Sequence, residues 1–445
     1  MGLGLALRAV PLAVWAREWG CIRDECTYIK LASRMISGEG MTSSVGWLWA
    51  PGYPFLMAIH GYLTTWSGSI RISQILVSLA IAVLMYRLAE REGGKPAGRW
   101  AAWLYMLSPT MIFFSQSLWS ECLYGGLLLS AIWVFERARD RLDDARVRDG
   151  LLWAAGIGAM VGCCMLFRGV ATYMLPLFAV GLLWGRFRAS AAWGQAGLLF
   201  LCAALTVAPY SIYATNKFEE RIVTDRTIGQ MMWLGNNDFD PITFDWGNGT
   251  LSKHAWRRHT SEGRRHCGSI RNGLERDHCE ADAGIAWIKA NPKEFVARMP
   301  LRVAQLLNPH SFLTRHLRWG YWRGLPQAVD EGIILWNVVW SLSVLFGGVA
   351  ALCARGRGAR SVLVALLLLY HVAAISVLAG LTRYRVPLEP LLMLYLASAL
   401  GDPSGTLATL RTQRWRIPVM LLMLAIGAPL VLWFLPAGWP TWRTW

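Results

Sequence analysis

The chain has 445 residues, of which 55% are hydrophobic and only 16% charged, and its formal net charge is +16. A soluble domain carries about a quarter charged residues, so a water-soluble globular protein is excluded. The positive charge does not indicate nucleic acid. The arginines stand in short clusters between apolar stretches, as in cytoplasmic loops that face anionic lipid. The 25 tryptophans fit the same picture, since indole rings favour the headgroup interface.

Apolar stretches recur over 2–16, 70–89, 100–114, 118–135, 150–166, 169–185, 193–213, 332–353, 361–380, 386–400 and 417–435. Each is long enough, or nearly so, to span a bilayer, which predicts about eleven transmembrane helices. The first, broken by Arg8 and Pro11 and lacking a charged start, reads as a membrane helix rather than a signal peptide. Basic residues then alternate with the loops: Arg87 to Arg99, Arg137 to Arg148, Arg186 and Arg188, Arg355 to Arg360, and Arg411 to Arg416. The positive-inside rule places the N-terminus in the cytoplasm and the C-terminus outside. The expectation is an all-α, multi-pass protein of the inner (plasma) membrane. It divides into an N-terminal transmembrane half (1–213) with a first outer loop (17–69), an extracytoplasmic domain (214–331) and C-terminal helices (332–445).

The residues with chemical potential fall on the outer side. In the first outer loop Ile22, Cys26, Ile29, Ser33 and Ile36 share one helical face, and Asp24, Tyr28, Leu31 and Met35 another. This predicts a short helix along the membrane surface. It sets Asp24 near the interface, where partial desolvation makes a carboxylate more basic. Such a group can accept a proton from a hydroxyl or amine attacking a sugar carbon. Asp24 and Glu25 equally suit plain capping of the helix N-terminus. The element Trp47-Leu48-Trp49-Ala50-Pro51-Gly52-Tyr53-Pro54 predicts a fixed, non-helical entry to the next helix.

Glu121 opens the fourth helix from outside and would cost about 2.5–3.5 kcal/mol facing lipid, so it belongs in the bundle interior or in outer water. Arg168, Arg383 and Arg385 can offer two-pronged donors to a phosphate or diphosphate, or can snorkel to headgroups. In 214–331, helices are expected near 280–290 and 293–306, parted at Pro292. His266-Cys267 and His278-Cys279 repeat a pair. A Cys267–Cys279 disulfide suits an oxidising outer compartment better than zinc, whose usual short Cys spacing is absent.

Arg23-Asp24-Glu25 with Tyr28 and Ala32, Gly38 to Gly40, Pro51-Gly52-Tyr53-Pro54, Ser120-Glu121, Leu166-Phe167-Arg168 and Arg383-Tyr384-Arg385-Val386-Pro387 together resemble the GT-C glycosyltransferases. Within them the bacterial protein-mannosyltransferase-like group, with the lipid A aminoarabinose transferases, is most similar. The resemblance implies a sugar taken from a polyprenyl-phosphate donor. It implies Asp24 as the catalytic base, and Glu121 as its partner or, in members that use one, a ligand of a divalent cation (Mg or Mn). Glu25, Tyr28, Tyr53, Arg168, Arg383, Tyr384 and Arg385 become candidate substrate-binding residues. The acceptor, a lipid, glycan or protein, is not named by any motif. The chain departs from the pattern in its short first helix, its single Asp-Glu pair and its end soon after the last helix.

A polyprenyl tail must stay in lipid while its phosphate reaches the outer interface. The site therefore needs an elongated cavity, apolar at its membrane end and open sideways to Asp24, with Trp47, Trp49 and Tyr53 at its rim. A transporter or flippase of lipid-linked sugars, or a surface-glycan polymerase or ligase, is the competing expectation.

Overall fold

The computed structural model of the protein describes residues 2–15, 21, 24–42, 48–63, 68–143, 146–238, 267, 269–310, 312–318, 322 and 324–432. Among these the chain is helical, with one antiparallel bridge, Leu48 to Arg226, as its only β pairing. Lipid offers backbone amides no partners, so long apolar stretches must satisfy their own hydrogen bonds as helices. Each stretch read from the sequence carries one. Among the described residues five helices are long and apolar enough to cross a membrane, or six if the bent pair Pro403–Thr412 and Arg416–Leu432 forms one span. Gly2–Val14, Gly169–Leu183 and Glu389–Gly401 are apolar but shorter.

The stretches at 70–89 and 100–114 belong to one helical hairpin. Gly68–Met106 reverses at Gly94, whose φ is 72°, just before Pro96. Only glycine takes that left-handed backbone cheaply. The reversal brings Ser78 of the first limb to Tyr105 of the second, 3.4 Å between hydroxyls. Arg8, fully buried, donates to Ser78 Oγ at 2.9 Å and to the Met106 carbonyl at 2.8 Å. The charge that interrupts the first apolar stretch thus ties that helix to the hairpin.

The two ends of the bundle differ in chemistry. At one, Arg360 is buried between Glu92 and Glu136, Arg91 pairs with Asp140, and Arg355 pairs with Asp402 at 2.9 Å. Arg416 donates to the carbonyls of Cys353 and Gly356 at 2.9 and 3.0 Å. These are residues of the basic loops. Glu121 begins the helix Glu121–Asp143 that also carries Glu136, so it lies about 22 Å of helix rise away, at the opposite end.

At that opposite end sit the helices Ile228–Gly235, Gly273–Ala290, Pro292–Leu307 and Phe312–Arg318. Proline, which needs no amide partner, starts the third of them. Arg302 is buried and donates to the Gly235 carbonyl (2.5 Å), Asn236 Oδ1 (2.8 Å) and the Ser376 carbonyl (2.8 Å). It thereby anchors this segment to the end of the helix Gly358–Val377. Cys267 and Cys279 form a disulfide, so their thiols are not metal ligands. His278 instead meets Glu220 at 2.9 Å, and His266 lies outside the described residues. A second disulfide, Cys21–Cys26, corrects the placing of Cys26 on a merely apolar face.

Asp277 on Gly273–Ala290 accepts the Gly229 amide at 2.8 Å and is 3% exposed. Burial pushes its carboxyl up from 3.8 to about 6, against the backbone amides that favour the anion. A folded pKa above the unfolded one favours the neutral acid in the fold. That contribution is complete below about pH 4 and disappears as pH rises through about 6. The segment holding Ile228–Gly235 and Gly273–Ala290 is therefore expected to unfold at a lower temperature at pH 8 than at pH 5, with Asp277→Asn narrowing the gap. An unchanged gap in that variant would contradict this assignment.

Candidate functional site

Asp24 opens the helix Asp24–Ile36, which buries Glu25, Tyr28, Leu31 and Ala32. The packed face is the one holding Tyr28 and Leu31, while Ile36 of the other face stays exposed. Tyr28 meets the rings of Trp49 and Tyr53 edge-on, with centroids 5.4 and 4.9 Å apart. The Pro51-Gly52 turn docks against the end of Val147–Phe167. A Cβ on Gly52 would lie 2.9 Å from the Leu166 carbonyl and 2.7 Å from the Phe167 ring. The Pro51-Gly52 turn and the turn carrying Arg168 are held together by this contact.

Asp24, Glu121, Arg168 and Arg383 form one cluster from four separate parts of the chain. Arg383, in the short turn Thr382–Arg385, donates through Nη1 to Asp24 Oδ2 at 2.5 Å and through Nε to Glu121 Oε1. Arg168 Nη2 donates to the same Glu121 oxygen at 2.7 Å. Glu121 is 1% exposed, and a buried carboxylate is tolerable only when paired. Its Oε2 is buried with no hydrogen-bond partner among the described residues. Arg383 lies 4.0 Å above the Trp119 ring, and Arg168 lies over Tyr124 and Tyr384 at 5.8 and 5.6 Å. Burial alone would lower the Arg383 guanidinium, but Glu121 and Asp24 outweigh it and hold the group above its ordinary value. Burial also raises the Tyr28 and Tyr384 phenols, so both are neutral hydroxyls rather than bases. Two carboxylates and two guanidiniums balance, and the cluster is neutral overall.

The cluster lies on the wall of a cavity of about 1240 Å³. Asp24, Tyr28, Trp49, Trp119, Arg168, Arg383 and Tyr384 line it. Tyr173, Tyr370, Ala374, Ile375 and Leu378 supply an apolar portion, and Arg221, Asp225, Arg226, Arg276 and Arg315 a polar one. Trp47, expected at its rim, lies outside the described residues, as does Arg23.

Four expected site residues, Glu121, Glu25, Tyr53 and Arg385, do not line the cavity. Glu25 faces away, accepting the Leu118 amide at 2.7 Å with Arg71 at 3.9 Å. The Tyr53 hydroxyl donates to Gln74 at 2.6 Å, and Gln74 donates to the Ser117 carbonyl at 2.7 Å. Both brace the turn that presents Trp119 and Glu121. Arg385 is turned into the protein. It is 2% exposed and donates to Glu389 at 2.8 Å and to the Asn308 carbonyl at 2.6 Å. A guanidinium so occupied and so placed is structural, which corrects its assignment to donor phosphate. A cation bridging Asp24 and Glu121 does not fit either: the Arg383 guanidinium stands between them, and among the described residues no three His, Cys, Asp or Glu side chains converge.

Sequence reasoning missed Asp225, Arg315 and Trp119. The first two lie in a segment without periodicity. Trp119 stands two residues before Glu121, and its place beside an intramembrane carboxylate was the signal to use.

Residues 49–212, under half of the chain, match the family described as dolichyl-phosphate-mannose-protein mannosyltransferase. No curated protein matches the sequence. Among solved structures, the fold is similar to the oligosaccharyltransferase AglB from Archaeoglobus fulgidus, solved with an inhibitory peptide and a dolichol-phosphate. Identity is 15% over 96% of this chain and 54% of that one, with a TM-score of 0.53. A second structure of the Archaeoglobus enzyme, tethered to an acceptor peptide containing the NVT sequon, gives 14%, 96%, 53% and 0.52. ArnT from Cupriavidus metallidurans bound to undecaprenyl phosphate gives 13%, 91%, 77% and 0.45. The chain spans about half the length of the archaeal structures it resembles.

Proposed function

We propose, starting from a chain with the membrane-embedded fold of the GT-C glycosyltransferases, that it moves a sugar from a polyprenyl-phosphate carrier to a lipid, glycan or protein acceptor. The observation that carries this reading is the bridging of Asp24 and Glu121 by Arg383 at the wall of a cavity that is apolar on one part and basic on another. Asp24 Oδ2 is held by Arg383, and Oδ1 has no partner among the described residues. Oδ1 accepts the proton of the acceptor hydroxyl or amine as that atom bonds to the anomeric carbon. The carbon–oxygen bond to the phosphate breaks, and its electron pair leaves on the polyprenyl phosphate. N–H groups of Arg168 and Arg383 not used in the cluster receive that charge. Tyr28 and Tyr384 offer neutral hydroxyls to the sugar. The tail rests against Ala374, Ile375 and Leu378, since each buried methylene contributes about 0.8 kcal/mol.

We place the site on the extracytoplasmic face of the plasma membrane, with the N-terminus cytoplasmic. The basic loops gather at the far end of the bundle, and two disulfides, one closing around Asp24, lie on the site's side. The resemblance allows a divalent cation. The residues here offer no carboxylate pair free to hold one at the cluster, and no step is drawn through it.

The covalent fate of the sugar tests the reading. Full-length protein in liposomes receives a polyprenyl-phosphate hexose labelled in the sugar, together with an envelope extract as acceptor. The label is expected to leave its carrier, with free polyprenyl phosphate released in equal amount. Label that crosses the bilayer still on its carrier would establish a transporter instead.

A further inference from the structure

Among the described residues three carboxylates line the cavity, Asp24, Asp225 and Glu280. Asp24 is paired with Arg383, and Glu280 with Arg276 at 3.0 Å. Asp225 has no cationic side chain within ion-pair distance among the described residues, although arginines line the same cavity. The Thr224 hydroxyl donates to its Oδ1 at 3.3 Å and the Thr227 hydroxyl to its Oδ2 at 3.2 Å. Thr227 stands at the N-cap of Ile228–Gly235 yet makes no side-chain cap bond there. Its hydroxyl goes to Asp225 instead. A carboxylate has about four lone-pair positions, so two donors leave acceptor capacity. Burial pushes the Asp225 carboxyl up from its ordinary value, against the two threonines. The anion is short of donors where it sits.

The carboxylate is also held close to the ion-pair cluster. The Arg226 amide donates to the Leu48 carbonyl at 2.8 Å, which ties down the backbone beside Asp225. Asp225 Oδ1 packs against Gly169 so closely that a Cβ there would lie 1.9 Å from it. Gly169 directly follows Arg168, and consecutive Cα atoms are about 3.8 Å apart. The carboxylate therefore stands one residue from the base of the arginine that reaches Glu121.

A polyprenyl-phosphate sugar has three parts with different needs. The tail seeks the apolar part of the cavity, and the phosphate seeks Arg168 and Arg383. The sugar, bonded directly to that phosphate, needs acceptors for its hydroxyls. We propose that Asp225 is the sugar-binding carboxylate of the donor site, accepting hydrogen bonds from hydroxyls of the sugar while it is on its carrier phosphate. This rests on the transferase reading and on the assignment of Arg168 to the phosphate. Hydrogen bonds to an ionised acceptor are the stronger kind, so the contact favours a sugar with free hydroxyls on that side. An acidic sugar that turned its own carboxylate to Asp225 would be repelled.

The test measures binding of undecaprenyl phosphate, bare and carrying glucose, mannose or galactose, to the full-length protein in lipid nanodiscs, with thermal unfolding recorded beside it. Asp225→Ala is expected to weaken the tightest-binding hexose lipid about 10-fold or more, the scale of a lost hydrogen bond to a charged group. Affinity for the bare carrier should change by less than about 2-fold, since it has no sugar to lose. Asp225→Asn keeps an oxygen but not the charge, and should weaken the hexose lipid about 3-fold. Arg168→Ala should weaken both lipids alike, because both carry the phosphate. Equal weakening of both lipids by Asp225→Ala, or weakening of neither, would overturn the sugar-binding role and leave the donor site standing. Should Asp225→Ala not fold, Asp225→Asn decides in the same way: a loss confined to the hexose lipid supports the role, and a loss shared or absent overturns it. Wild-type protein that binds none of the three hexose lipids would overturn the donor reading, and this assignment with it.

Discussion

Replacing Asp24 by asparagine is expected to lower sugar transfer by about 10²-fold or more at saturating donor, because general acid–base catalysis contributes about 10²–10⁴-fold. The substitution is nearly isosteric. Its amide oxygen can still accept from Arg383 Nη1, the bond that Asp24 makes at 2.5 Å, so the bridge to Glu121 persists. What disappears is the ability to take a proton. With one negative charge gone the cluster becomes net positive, so affinity for polyprenyl phosphate should hold or rise. The pairing of lost turnover with preserved binding separates a base from a structural carboxylate. A variant that keeps more than about a tenth of wild-type transfer would remove Asp24 from the base role.

Arg383→Ala is expected to fail in a different way, losing transfer and stability together. Arg383 is 7% exposed and is shared by Asp24 and Glu121. Removing one partner of a buried ion pair costs about 3–5 kcal/mol, since the other charge is left behind. Arg168 alone would then face two carboxylates. Arg383→Lys should rescue little, because an ammonium is a compact point charge while Arg383 uses Nε and Nη1 on two different acceptors. Adding Glu121→Gln to Arg383→Ala should recover part of the unfolding temperature without restoring transfer. Thermal unfolding and transfer assays on the three variants read this directly. Full stability and activity in Arg383→Ala would mean that the bridge does not matter.

Much of this architecture follows from local chemistry. Apolar stretches in lipid have no choice but helix, and the loops sort by charge. Asp24, Glu121, Arg168 and Arg383 stood out because a polar group at the end of an apolar helix is costly unless it has a task. The Cys267–Cys279 pairing was similarly legible from compartment and composition.

Tertiary structure alone decided what these residues do to one another. Arg383 and Arg385 look equivalent in Arg383-Tyr384-Arg385. They occupy a tight turn of about three residues per revolution, where two positions apart means about 240° of rotation. One therefore meets Asp24 and Glu121, and the other is driven inward to Glu389. Tyr53 and Glu25 sit beside Tyr28 and Asp24 in the sequence motifs yet brace the wall from behind, because a packed helix has a hidden side. Cys26 looked like part of an apolar face, and its bond is to Cys21, a residue outside that helix. Asp225 carried no sequence signal at all. Gly169, against which its carboxylate packs, is far along the chain, and a contact between distant segments leaves no periodicity to read.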